Sequence, residues 1–120
     1  MPNRNNDTPI SVLYHALRAP RRRLAIQTLE ESDTNGVSTR ELARNITSKE
    51  HGIPFDRATG ELYRNVYNAL TQTHLPTLAD ANIVIYDSER QTVSRGDNFL
   101  IAVLLLSIDS AAIDAIQNDE

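Results

Sequence analysis

The chain has 120 residues, a length that suits one domain with a core of its own. Cysteine is absent, which excludes disulfides, thiolate metal sites and cysteine nucleophiles. His15, His51 and His74 match no metal-ligand spacing, and the most apolar run, 99–106, is far short of the roughly 20 residues that span a bilayer. With no basic-then-apolar leader at its start, the chain is expected to be cytoplasmic, off the membrane and without a cofactor.

Charge is more informative by distribution than by its net of −4. Lys49 is the only lysine among 12 basic residues; the others are arginine. An acidic chain nearly free of lysine resembles proteins from salt-loving archaea, so its acidity reads as surface adaptation and not as evidence against a polyanionic partner. The first 29 residues carry five arginines against Asp7 alone, and residues 97–120 carry five acids and no base.

In chain order, residues 1–9 are polar, hold two prolines and lack periodicity, which predicts a flexible start. Residues 10–19 read as a short helix with Ile10, Leu13 and Leu17 on one side. Pro20 suits the first turn of a second helix, with Leu24, Ile26 and Leu29 inward. Thr34-Asn35-Gly36 is a turn signal. Ser38 followed by Glu41 forms a capping-box pattern for a third helix whose Leu42, Ala43 and Ile46 face the core. Residues 49–60 hold two glycines and a proline and read as a loop. A long helix is expected over 60–75, with a short continuation to Ala81. Strands at 83–87 and 92–95, separated by Ser88-Glu89-Arg90-Gln91, form a hairpin. A long C-terminal helix closes the chain, capped by Asp97 or Asn98.

The helix over 60–75 carries the sharpest signal. At about 100° per residue, Leu62, Val66, Ala69, Leu70 and Thr73 share one arc. Glu61, Arg64, Asn65, Asn68, Thr71 and Gln72 share the opposite arc, with Tyr63, Tyr67 and His74 on a border. Solvated helix faces favour Glu and Lys, whereas Asn and Thr are poor helix formers. Arg, Asn, Gln and Thr are also the side chains that pair with base edges in the major groove; a merely solvated face is the plain alternative. Arg90, Gln91 and Arg95 on the hairpin suit phosphate contact. Arg21, Arg22 and Arg23 stand at a helix start, where the dipole disfavours cations; they point to phosphate, to an acidic partner or to local ion pairs. Thr39 and Arg40, opening the third helix, complete the candidate DNA-binding set. Pro76 is expected to bend or end the long helix, Asn82 to take a left-handed terminating conformation, and His74 to be packed or capping.

Four stretches, "APRRRLAIQTLEE", "VSTRELARNI", "LYRNVYNALTQTHLPTLADANIVIYD" and "QTVS", together resemble a haloarchaeal family of winged helix-turn-helix domains. That family is largely uncharacterised and is taken to regulate transcription. The resemblance spans about residues 10–94, and its most specific elements are Val66-Tyr67, Thr73-His74-Leu75-Pro76, Leu78-Ala79 and Tyr86-Asp87, with the arginine triplet after Pro20. It implies fold and DNA binding but carries over no base-contacting residue. Two departures stand out: Asn82 replaces a more usual glycine, and the 48–59 connection exceeds the three or four residues of a tight helix-turn-helix.

Residues 99–106 are apolar all round, which calls for burial on several sides. A two-fold homodimer through Phe99, Leu100, Val103, Leu104, Leu106, Ile113 and Ile116 is the simplest solution, and packing within one chain is the alternative. The expected architecture is therefore mainly α with a small β-hairpin: a winged helix-turn-helix at 10–96 plus a long C-terminal dimerisation helix at 97–120. The expected function is sequence-specific double-stranded DNA binding by a homodimeric transcriptional regulator, with helix 60–75 in the major groove, hairpin 83–95 as wing and no small-molecule effector. A protein–protein winged-helix module without DNA binding is the alternative. An enzyme is not expected, since no nucleophile–base pair, phosphate loop or metal cluster is visible.

Overall fold

The computed structural model describes the backbone of residues 8–118 and the side chains of residues 8–108. The expected flexible start and the side chains of Ile113 and Ile116 lie outside the described residues. The chain is mainly helical with one small three-stranded antiparallel sheet.

The helices are α1 (Ile10–Ala16), α2 (Pro20–Glu31), α3 (Thr39–His51), α4 (Gly60–Ala69), α5 (Leu75–Asp80) and α6 (Phe99–Asn118). Their boundaries follow local chemistry. Pro20 occupies the first turn of α2, where no N–H is needed. Ser38 caps α3, its Oγ accepting from the Glu41 N–H at 3.0 Å. Gly52 ends α3 at φ 65°, a left-handed position natural to glycine. That end lies beyond the sequence-based boundary, so the connection to α4 is 52–59 and contains a 3₁₀ turn at Phe55–Arg57. Asn82 is left-handed at φ 61°, where α5 gives way to the sheet.

Strands β1 (Gly36–Ser38), β2 (Val84–Asp87) and β3 (Thr92–Arg95) lie in the order β1-β3-β2. Val37, Val93 and Tyr86 align across the sheet, and Val93 reaches the core. The third strand, β1, was not expected from the sequence. It has three residues, one of them apolar, and exists through its pairing with β3.

The core gathers Ile26 and Leu29 of α2, Leu42 and Ile46 of α3, Val66 and Leu70, Leu75 and Leu78 of α5, and Ile83. Phe99 and Ala102 of α6 join it, so this end of α6 packs within its own chain. Ile10, expected inward, is 58% exposed, because α1 buries only its second half through Leu13, Ala16 and the following Leu17.

The long helix is not regular. Between α4 and α5, Leu70–His74 forms a π-turn in which the Leu75 N–H donates to the Leu70 carbonyl. Pro76 has no N–H and its ring would crowd the carbonyl four residues back; widening the turn just ahead of it relieves both. The extra residue shifts the helix phase, so Leu75 is buried and Thr73 is exposed, contrary to the regular wheel. Leu62 is also exposed, at 41%; Tyr63, Val66, Tyr67 and Leu70 form the inward stripe instead.

Gly96 sits against backbone: a Cβ there would lie 2.6 Å from the Asn82 carbonyl oxygen and 3.0 Å from the Val84 nitrogen. Backbone cannot yield as a side chain tip does. Gly96→Ala is therefore expected to lower the unfolding free energy by about 1–3 kcal/mol, read by chemical denaturation.

Candidate functional site

The polar face of α4 and the neighbouring hairpin form the candidate site. Arg64, Asn65, Asn68 and Gln72 are all exposed, while Thr71 is half-buried and turns its hydroxyl back to the carbonyls of Tyr67 (3.1 Å) and Asn68 (3.3 Å). Four outward side chains thus remain for a ligand, with Thr71 at their edge. The Arg64 side chain makes no hydrogen bond or ion pair among the described residues, and neither does that of Arg40 at the start of α3.

Between α4 and the hairpin stands an aromatic seam. Tyr63 and Tyr67 lie with ring centroids 5.8 Å apart, and the Tyr67 hydroxyl donates to Gln91 Oε1 at 2.7 Å. Burial and the neighbouring Tyr67 push the Tyr86 phenol above its ordinary pKa, opposed by a hydrogen bond with Gln91. The hairpin turn is shaped by Asp87, whose Oδ1 accepts from the backbone N–H groups of Glu89 and Arg90, each at 3.1 Å. Arg90 projects into solvent, 85% exposed, with only a loose 3.9 Å approach to Asp87.

Several residues expected in the DNA-binding set are buried or bonded to the protein's own groups, although Arg23 and Arg95 stay exposed. Thr39 is fully buried in the first turn of α3, beyond reach of a ligand. Arg22 is 8% exposed; its Nε donates to the Ala16 carbonyl at 2.7 Å and Nη2 to the His15 carbonyl at 3.2 Å, closing the end of α1. Its Nη1 meets His74 Nδ1 at 3.1 Å. Arg23 donates to the carbonyls of Leu17 and Arg18, at 2.9 and 2.7 Å. Arg21 grips Glu50 through two parallel bonds, at 2.7 and 2.9 Å. That pair raises the Arg21 pKa and lowers that of Glu50. Arg95 reaches back to the carbonyls of Leu29, Glu30 and Ser32 at the end of α2, with its guanidinium 5.1 Å from the Phe99 ring centre. A guanidinium fork suits carbonyl clusters at helix ends, where the dipole also favours a cation. The local ion pairing weighed for the triplet describes Arg21 alone; Arg22 and Arg23 instead take backbone carbonyls, which the sequence did not suggest.

On α6, Phe99 belongs to the core and so faces away from any dimer contact. Leu100, Ile101, Leu104 and Ile108 are 67%, 45%, 53% and 63% exposed, and Val103 and Leu106 are half-buried. Ile101 and Ile108 stood outside the expected interface set, although their spacing from Leu104 marks one helix face. Elsewhere, sequence reasoning missed Arg44, whose guanidinium lies 4.3 Å from the Phe55 ring centre and donates to the Phe55 carbonyl at 2.9 Å, bracing the α3–α4 connection. No sequence spacing signals that contact. An open groove of about 720 Å³ over α1 is lined by Ser11, Tyr14, His15, Leu17, Arg18 and Arg23. No three His, Asp or Glu side chains gather as a metal site among the described residues, and none of the described helices is long and apolar enough to cross a membrane.

Residues 14–94 match the family described as Domain of unknown function (DUF7344), and the chain belongs to that family. No curated protein and no solved structure matches the chain.

Burial, Arg22 and Arg21 together hold the His74 pKa below its ordinary value, with Glu50 opposing weakly. Since Arg22 donates to Nδ1, His74 is a neutral acceptor. The unfolded chain takes up this proton near pH 6.5 while the fold resists it. Stability is therefore retained above about pH 6.5 and declines as pH falls toward the depressed value. Denaturation at about pH 7.5 and about pH 5.5 should show that decline, and His74→Gln, which keeps an acceptor for Arg22, should reduce it. The Arg21–Glu50 pair weakens only in a lower window, below the ordinary Glu value of 4.5.

Proposed function

We propose that the chain is a winged helix-turn-helix transcriptional regulator that binds double-stranded DNA as a homodimer. In this reading α3 and α4 form the helix pair, α4 enters the major groove, and hairpin β2–β3 is the wing. The observation that carries it is the outward grouping of Arg64, Asn65, Asn68 and Gln72 beside a hairpin whose Arg90 extends into solvent. Arginine can take guanine bidentately, and Asn or Gln adenine. Arg40 and Arg90, both exposed, would supply phosphate contacts. The resemblance to haloarchaeal domains supports the same reading; in the concentrated salt it would imply, bulk phosphate attraction is weak and base contacts must discriminate.

The dimer would form through the exposed face of α6, where Leu100, Ile101, Leu104 and Ile108 carry no charge. A face of this kind is unusual on a monomer. Because Phe99 and Ala102 are core residues, deleting α6 would unfold the chain, and a point substitution on the exposed face is the sound test. Leu104→Glu is expected to shift the protein from dimer to monomer in analytical ultracentrifugation without loss of helicity; a variant that stays dimeric removes α6 from the interface.

The burial of Arg22 and the pairing of Arg21 with Glu50 leave the surface less basic than the sequence suggested. That observation favours the second reading, a winged-helix protein–protein module, with exposed Leu62 beside the polar face as a contact. Selection of bound duplexes from a random pool, in molar potassium chloride, separates the two. Enrichment of paired half-sites about one helical turn apart supports the dimeric regulator; a folded protein that enriches nothing supports the module. On the enriched site, Asn68→Ala should relax preference at one base position and cost about 1–3 kcal/mol, whereas a uniform small loss would place Asn68 away from the bases.

A further inference from the structure

Gln91 stands at the centre of the candidate surface in a conformation that glutamine rarely adopts. Its φ is 55°, a left-handed position at the end of the hairpin turn where glycine or asparagine is the relaxed choice. Strain of this kind persists where the surroundings hold it in place. Here three elements converge on the one residue. Its Oε1 accepts from the Tyr67 hydroxyl of α4 at 2.7 Å. Its Nε2 donates to the Ser88 carbonyl across the turn at 2.7 Å. Its own carbonyl accepts from the Thr39 N–H, opening α3, at 2.9 Å. The side chain is half-buried and both its polar ends are engaged, so little of it is left for an outside ligand. Tyr67 in turn is packed against the core and stacked near Tyr63, so the hairpin is referenced to a fixed side chain.

The geometry points to Gln91 as the positioning residue of the hairpin, one that locks β2–β3 to α3 and α4 so that Arg90 is held at a set angle to the polar face of α4. Glycine at this position would relax the backbone and keep the bond to Thr39, but would lose the side-chain bonds to Tyr67 and Ser88. This role explains why a side chain is kept where its absence would ease the turn. The inference rests on the DNA-binding reading for its consequence, but the lock itself can be tested without DNA.

Two variants of the full chain break the lock from opposite sides. Gln91→Gly removes the acceptor and relieves the backbone, and Tyr67→Phe removes the donor while leaving the hairpin sequence intact. Both are expected to raise amide exchange at residues 87–92 by up to about tenfold, with amides of α2 and of α3 beyond its first turn unchanged, as fits one or two lost side-chain hydrogen bonds and a local opening. Gln91→Glu, whose carboxylate still accepts from Tyr67 but can no longer donate to Ser88, should restore part of the protection. Unchanged exchange in both Gln91→Gly and Tyr67→Phe overturns the inference.

The second arm measures affinity for the selected duplex against salt. Removing a phosphate contact lowers the slope of log affinity against log salt by about one. Gln91 is neutral, so if it bound DNA directly its removal would weaken binding at unchanged slope. A positioning role predicts a lower slope in Gln91→Gly, because Arg90 is released, and no further fall on adding Arg90→Ala. Weaker binding at unchanged slope assigns Gln91 to the ligand and overturns the inference. Absence of binding by the unmodified protein removes the DNA reading alone, and the exchange arm then decides the lock.

Discussion

The way one long helix passes Pro76 sets the geometry of the candidate surface. A regular helix through residues 60–80 would have to bury Val66, Leu70, Leu75 and Leu78 on one side, yet Leu70 and Leu75 are five residues apart and diverge on a regular wheel. The π-turn at Leu70–His74 absorbs that extra residue and accommodates the missing N–H of Pro76 in the same step. With the phase corrected, α4 and α5 both face the core, and Arg64, Asn65, Asn68 and Gln72 are turned outward together. The π-turn also presents His74 to Arg22, which joins the middle of the molecule to the end of α1.

Arginine does work here that other proteins give to glycine caps or to asparagine. At seven residues, α1 is too short to be stable alone, and the residue that follows it, Leu17, is in a bridging conformation instead of a left-handed cap. Its last carbonyls are taken by Arg22 and Arg23 from the next helix. The end of α2 is closed in the same way by Arg95 from β3. Each guanidinium brings several donors in one plane, so one side chain satisfies a group of carbonyls that water would otherwise cover. These contacts tie the two ends of α2 to α1 and to the sheet, and so the position of the hairpin depends on α2 as well as on Gln91.

Much of the architecture was legible because it is written in short-range chemistry. Pro20, Ser38 and the turn after Asp87 mark element boundaries by rules that involve only neighbours. Leu42, Ala43 and Ile46 are buried as helical periodicity requires. What was not legible depends on distant partners or on phase. Strand β1 exists through its ladder with β3, more than fifty residues away, and its three residues carry no pattern of their own. The exposure of Leu62 and Thr73 follows from a helix stripe centred on Tyr63 and from the added residue at the π-turn, neither of which a uniform wheel contains. Arginine direction is the hardest case. A run such as Arg21-Arg22-Arg23 looks like an outward charge cluster until the carbonyls of the preceding helix and Glu50 are in place around it.

That inward use of charge bears on what kind of recognition the surface can perform. With Arg22 buried against backbone carbonyls and Arg21 paired with Glu50, the arginine triplet adds little free charge, and the outward face of α4 carries Arg64 among the amides Asn65, Asn68 and Gln72. Cationic surfaces bind polyanions strongly but indiscriminately, and their affinity falls steeply as salt rises. Amide side chains add little to that nonspecific attraction, but they can distinguish one donor–acceptor pattern from another at close range. Such short-range contacts are effective only when their bearing elements are held at fixed angles, since a misplaced amide offers nothing across a gap. A surface of this composition therefore gains most from rigidity, and the bonds that radiate from Gln91 to Tyr67, Ser88 and Thr39 place that rigidity where helix and hairpin meet.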